Sequence, residues 1–118
     1  MKVLLAFALC FFLMLRPAFA RAMLTRADPP SGSHIGEPID EVRLEFSQSI
    51  EPDLIGVTIK KDDVDVTGQK RPQLVDGGKS VRITIPNAGA GAYRIDWSVV
   101  SIDGHRTSGR YGFQLGPP

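Results

Sequence analysis

Short stretches in which apolar and polar residues alternate recur along this chain, separated by turn-forming residues. In "VRLEF", residues 42–46, Val42, Leu44 and Phe46 fall on one side and Arg43 and Glu45 on the other. That period of two is the mark of a half-buried strand. "SVRITI" (80–85) repeats it after Asp76-Gly77-Gly78, a strong turn signal. "AYRIDWSVVS" (92–101) is the longest candidate, with Tyr93, Ile95, Trp97 and Val99 on one face. Further strands are expected over 23–27, 56–61 and 110–115, with shorter ones at 64–67 and 72–75. Asp28-Pro29-Pro30 ends the first, because proline cannot donate to a ladder. Residues 31–38 and 86–91 read as loops by composition. No stretch after position 20 keeps apolar residues at i, i+3, i+4 and i+7 for three turns. About seven strands in the 98 residues from Arg21 onward predict an all-β domain, a small Greek-key sandwich or barrel of immunoglobulin-like size.

The inward positions supply an adequate core: Leu24, Val42, Leu44, Phe46, Val57, Ile59, Val81, Ile83, Ile85, Tyr93, Ile95, Trp97, Val99 and Phe113. Each large apolar side chain, fully buried, stabilises by roughly 1.5–3 kcal/mol. Trp97 shares a face with Tyr93, Ile95 and Val99, so it is read as core rather than as a ligand platform.

The N-terminus changes the picture. MKVLLAFALCFFLMLRPAFA has Lys2, an apolar run over 3–15 and an Ala-x-Ala at Ala18 and Ala20. This is the layout of a cleaved secretory signal, and the run is too short to span a membrane comfortably. Residues 1–20 are therefore expected to be a signal peptide and 21–118 the exported, periplasmic domain. A second Ala-x-Ala at Ala20 and Ala22 leaves Arg21 or Met23 as the mature start. Cys10 is the only cysteine and lies within that signal, so the mature domain has no disulfide and no thiolate ligand. Without Lys2 and Arg16, twelve Lys and Arg residues face thirteen Asp and Glu, with no basic stripe to track phosphates. Nucleic acid is thereby disfavoured as a partner.

Candidate chemistry concentrates in one tripeptide. Asp103 and His105 lie two apart around Gly104, so on extended backbone both side chains leave the same face. A carboxylate and a neutral imidazole suit Cu(II) or Zn(II), and tetragonal N,O sites favour Cu(II). The other reading is a plain turn, with Asp103 capping backbone amides and His105 exposed. His34, the only other histidine, reads as a surface loop residue or a further ligand. No Gly-x-Ser-x-Gly elbow occurs, and adjacent carboxylates such as Asp62-Asp63 would point to opposite faces of a strand. No catalytic residues are assigned, and the protein is not expected to be an enzyme.

Four segments in order carry a resemblance: "RAMLTRADPPSGS", "VRLEFSQSI", "GAYRIDWSVVSIDGH" and "TSGRYGFQL". Together they resemble the CopC-like periplasmic copper-resistance proteins over essentially all of residues 21–115. The resemblance implies a Greek-key β-domain that binds Cu(II) without catalysis. It also implies a copper-transporting inner-membrane protein of the CopD type as a partner. In that family the site is built from a mature N-terminal His, an acidic residue after the Phe-Ser of the second strand, and the Asp and His of an Asp-x-His. Asp103 and His105 match the last two as metal ligands. Arg21 stands in place of the first and Gln48 in place of the second. Met23 is the only methionine after position 20, so the family's methionine-rich Cu(I) loop is missing as well. The resemblance thus leaves two functions open: copper binding and handling through half a site, or an interaction module that keeps the fold without autonomous metal binding.

Overall fold

The computed structural model of the protein describes residues 21–86 and 88–117. The expected signal segment and Cys10 lie outside the described residues. Among the described residues nine strands form two sheets. Their bounds are β1 (Leu24–Asp28), β2 (His34–Ile35), β3 (Glu41–Phe46), β4 (Gly56–Lys61), β5 (Val64–Asp65), β6 (Gln73–Val75), β7 (Ser80–Thr84), β8 (Gly91–Val100) and β9 (Arg106–Leu115). One sheet has the order β1-β3-β7-β6 and the other β2-β9-β8-β4-β5. All pairings are antiparallel except β2 with β9. The chain crosses between sheets after β1, β2, β3, β5 and β7, which makes a β-sandwich of the expected class.

The alternation read from sequence sets the core. Val42, Leu44 and Phe46 from β3 and Val81 and Ile83 from β7 are buried against Ile59, Tyr93, Ile95, Trp97, Val99 and Phe113 of the other sheet. Leu24 and Val57 are only partly buried and pack at the margin. Ala22, Ile50, Tyr111 and Leu115 join the core beyond the expected set. Phe46 and Trp97 meet edge to face across the sheets, centroids 5.2 Å apart and planes at 71°. Tyr93 and Phe113, cross-strand partners, stack at 5.5 Å. Aromatic pairs of this kind add about 0.5–1.5 kcal/mol beyond their burial.

Most strand ends shift by a residue or two, and two differences from the sequence reading are larger. The region 31–38 is not wholly loop, since His34 and Ile35 pair in parallel with Gln114 and Leu115. The last strand begins at Arg106 rather than 110, because each residue of β8 from Gly91 to Val100 finds a partner on β9. Residues 106–110 are mostly exposed and polar, so hydrophobic period alone could not extend the strand through them. The β8–β9 ladder is the longest in the molecule among the described residues, and Asp103 and His105 lie in the connection that closes it.

Candidate metal centre

The connection is a tight turn. The Gly104 N–H donates to the Ser101 carbonyl at 2.8 Å, and the Ser101 N–H donates to the His105 carbonyl at 2.9 Å. Gly104 has φ +93°, a conformation in which a side chain is strained although space surrounds it. Asp-Gly-His is therefore a turn, and it also brings its two polar side chains together. They meet because the chain folds back between them, not because extended backbone aligns them. Asp103 Oδ1 and His105 Nδ1 stand 3.3 Å apart, with Asp103 exposed and His105 half-buried.

Ser101, fully buried, organises the pair. Its hydroxyl donates to Asp103 Oδ1 and accepts the His105 backbone N–H at 3.2 Å. The Ser101 hydroxyl first, and the His105 ring second, hold the Asp103 carboxyl below its ordinary value of 3.8, while burial pulls weakly the other way. Stability from this bond is complete above the unfolded-state value and is lost as pH falls through the lower folded one. Asp103 is thus ionised at neutral pH and presents a carboxylate without first losing a proton. In Ser101→Ala the Asp103 midpoint should rise toward 3.8 in a carboxyl-carbon NMR titration. An unmoved midpoint would remove the hydroxyl from this account.

Two further segments gather at the same end of the sandwich. The Ile102 N–H donates to the Ser49 carbonyl at 3.2 Å, and Ile50 bridges to Ser101. Ser47 binds the start of the described chain: its N–H donates to the Met23 carbonyl at 2.9 Å, and its hydroxyl accepts the Met23 N–H at 2.9 Å. That hydroxyl also lies 3.4 Å from the Arg21 carbonyl. Arg21 and Gln48 thus belong to the loop cluster that carries Asp103 and His105. Ser47, Ser49 and Ser101 escaped the sequence reading as site residues. Only the break in alternation at Val99-Val100-Ser101, all buried, hints at the last of them. His34 is not part of the cluster. Its Nε2 lies 2.7 Å from the Gly116 carbonyl, beside the far end of β9, about 25 Å from Arg106 at some 3.3 Å per residue.

The donors fit a transition metal in kind and spacing. Two ligands each about 2.0–2.2 Å from one ion lie about 3 Å apart in neighbouring coordination positions. With Nδ1–H donating to Asp103, Nε2 carries the lone pair and the carboxylate orients the ring. With the lone pair on Nδ1, the two facing atoms can share an ion. In number the donors fall short, since no group of three or more His, Cys, Asp or Glu placed to hold a metal exists among the described residues.

A family model described as the CopC domain matches residues 24–116. The chain belongs to the CopC family. Protein YobA of Escherichia coli K12 is 29% identical over 103 residues, covering 82% of this chain and 80% of YobA. Copper transport protein CutJ of Bacillus subtilis is 25% identical over 113 residues, which are 92% of this chain and 21% of CutJ. Among solved structures, CopC of Methylosinus trichosporium OB3b superposes with a TM-score of 0.74 at 24% identity, over 81% of this chain and 94% of that one. PcoC of Escherichia coli, a methionine-rich copper resistance protein, gives 0.71 at 25% identity, over 81% and 99%. The small β-sandwich expected from strand counting is the fold of these neighbours, and family membership supports a copper-related function.

Proposed function

We propose that this CopC-family protein binds Cu(II) through Asp103 and His105 and handles it as cargo, without catalysis, in the periplasm. The observation that carries the reading is the 3.3 Å approach of Asp103 Oδ1 to His105 Nδ1 on a turn fixed by a buried serine. One imidazole nitrogen and one carboxylate oxygen make a mixed N,O set, which favours Cu(II) over the softer Cu(I). Few donors mean modest affinity and ready release, properties suited to carrying an ion between stronger sites. The names of the relatives, a copper transport protein and a copper resistance protein, agree with such a role. A CopD-type inner-membrane copper transporter is the recipient this reading implies.

Titration of the protein with Cu(II), followed by electron paramagnetic resonance, tests it. The native chain should give a defined signal with imidazole nitrogen coupling. His105→Ala should abolish that coupling and weaken binding by about tenfold or more, the scale on which groups at metal sites act. The same nonspecific uptake by both proteins would end the metal role of the turn.

A second reading keeps the fold as a copper-independent interaction module. Arg21 favours it, since its backbone is held at the Ser47 loop and the residue brings a fixed cation in place of a metal-ligating side chain. A complex with a membrane partner that forms equally well in chelator would support this reading.

A further inference from the structure

Among the described residues four large apolar side chains stand exposed: Met23 at 58%, Leu54 at 49%, Val64 at 63% and Ile102 at 64%. Single exposed apolar residues are ordinary, and Val64 at the β4–β5 hairpin is one of them. The other three are gathered. Met23 is pinned to Ser47, Ile102 is pinned to Ser49 and directly precedes Asp103, and Leu54 closes a short turn on Glu51, whose N–H is bound to the Val100 carbonyl. They stand on the loops gathered at the end of the sandwich that carries Asp103 and His105. Ile102, Asp103 and Gly104 are exposed and His105 is half-buried, so the turn is open to solvent on the side that carries the carboxylate.

We propose that Cu(II) joins two copies of this protein, each supplying Asp103 and His105 to one shared ion. This rests on the copper reading above and adds the partner that the half-site lacks. Two copies related by a twofold axis place the same patch against itself, so each donor appears twice. Two imidazole nitrogens and two carboxylate oxygens complete a four-coordinate N,O set of the kind Cu(II) prefers. Two carboxylates also neutralise the dication, which one copy cannot do. The exposed apolar side chains fit the same arrangement, because Met23, Leu54 and Ile102 of one copy meet their counterparts around the ion and leave water. So small a contact cannot hold a dimer without metal. The association is therefore copper-dependent and reverses when the ion departs.

Sedimentation velocity of the protein titrated with Cu(II), read beside its paramagnetic resonance spectrum, tests the proposal. Expected are a monomer in chelator and a dimer at one copper per two chains, with coupling to two imidazole nitrogens. Met23→Ser/Ile102→Ser, which leaves both donors in place, should weaken the dimer by about tenfold or more while the mononuclear signal of the single chain persists. A monomer with one copper per chain and one coupled nitrogen would overturn the proposal and leave the copper reading intact, pointing the apolar side chains toward a different protein. A dimer that forms equally in chelator, or equally in the doubly substituted protein, would overturn it too. Absence of any defined copper signal would remove both readings.

Discussion

Changing Arg21 to His and Gln48 to Asp together, in protein whose first residue is position 21, should turn a weak metal clip into a strong single-chain Cu(II) site. The expectation rests on where the backbone places these positions. Ser47 ties residues 21–23 to the end of β3, and Ser49 ties the next residues to Ile102. Gln48 sits between those two anchors. A histidine at the chain start offers an amine and an imidazole, and an aspartate at 48 offers a second carboxylate. The substitution also withdraws the Arg21 guanidinium, a charge that repels the dication. Affinity should rise by more than about a hundredfold, beyond the effect of supporting groups alone. Binding should be one copper per chain, with no copper-dependent dimer, because the chain then satisfies the ion by itself. Competition titration against a chelator of known affinity measures this. An affinity equal to that of the native chain would mean that the N-terminal segment does not reach the turn.

The largest expected loss of stability comes from a single methyl group at Gly109. This glycine pairs with Trp97 across the β8–β9 ladder. A Cβ added to Gly109 would lie 2.6 Å from the indole Cζ2 and 2.9 Å from Cε2, well inside contact distance. The ring cannot retreat freely, since Phe46 meets it edge to face from the other sheet. Alanine normally suits a strand better than glycine, so destabilisation by Gly109→Ala would identify the clash rather than a propensity effect. Overpacking of this kind costs about 1–3 kcal/mol. At roughly 4–8 °C per kcal/mol for a domain of this size, thermal unfolding should begin some 5–20 °C earlier. Adding Trp97→Phe to Gly109→Ala should recover part of the loss, and the coupling between the two changes can be read from a double-mutant cycle. Unchanged melting of Gly109→Ala would show that the indole has another place to go.

The fold was largely legible because burial in a sandwich imprints a period of two. Val42, Leu44 and Phe46, and Tyr93, Ile95, Trp97 and Val99, are buried as their alternation requires. What alternation could not reach was pairing without burial. β2 has only two residues and no buried side chain, and the first half of β9 is held by its neighbour's backbone rather than by apolar content. At the site, the types and positions of Asp103 and His105 could be read directly, whereas their orientation could not. A spacing of two suggests a shared face on extended backbone, but a turn with a left-handed glycine joins them. Ser101 and Ser47 were hidden for a different reason. A serine that anchors a loop looks like any other serine until the loop's backbone amides have positions.

The placement of the turn on the β8–β9 hairpin has a dynamic consequence. Ten consecutive residue pairs stand behind it, flanked by β4 on one side and β2 on the other. Segments embedded in the most cooperative part of a fold open only when much of the domain opens with them. The spacing of Asp103 and His105 is accordingly set before any ion arrives, at the moment the chain folds. If the pair takes a metal, capture asks for almost no loop ordering, and the amide of buried Ser101, bonded to the His105 carbonyl, should exchange as slowly as the central strands in a hydrogen-exchange measurement. The two side chains are thus presented as a preformed fitting at the end of the longest ladder among the described residues.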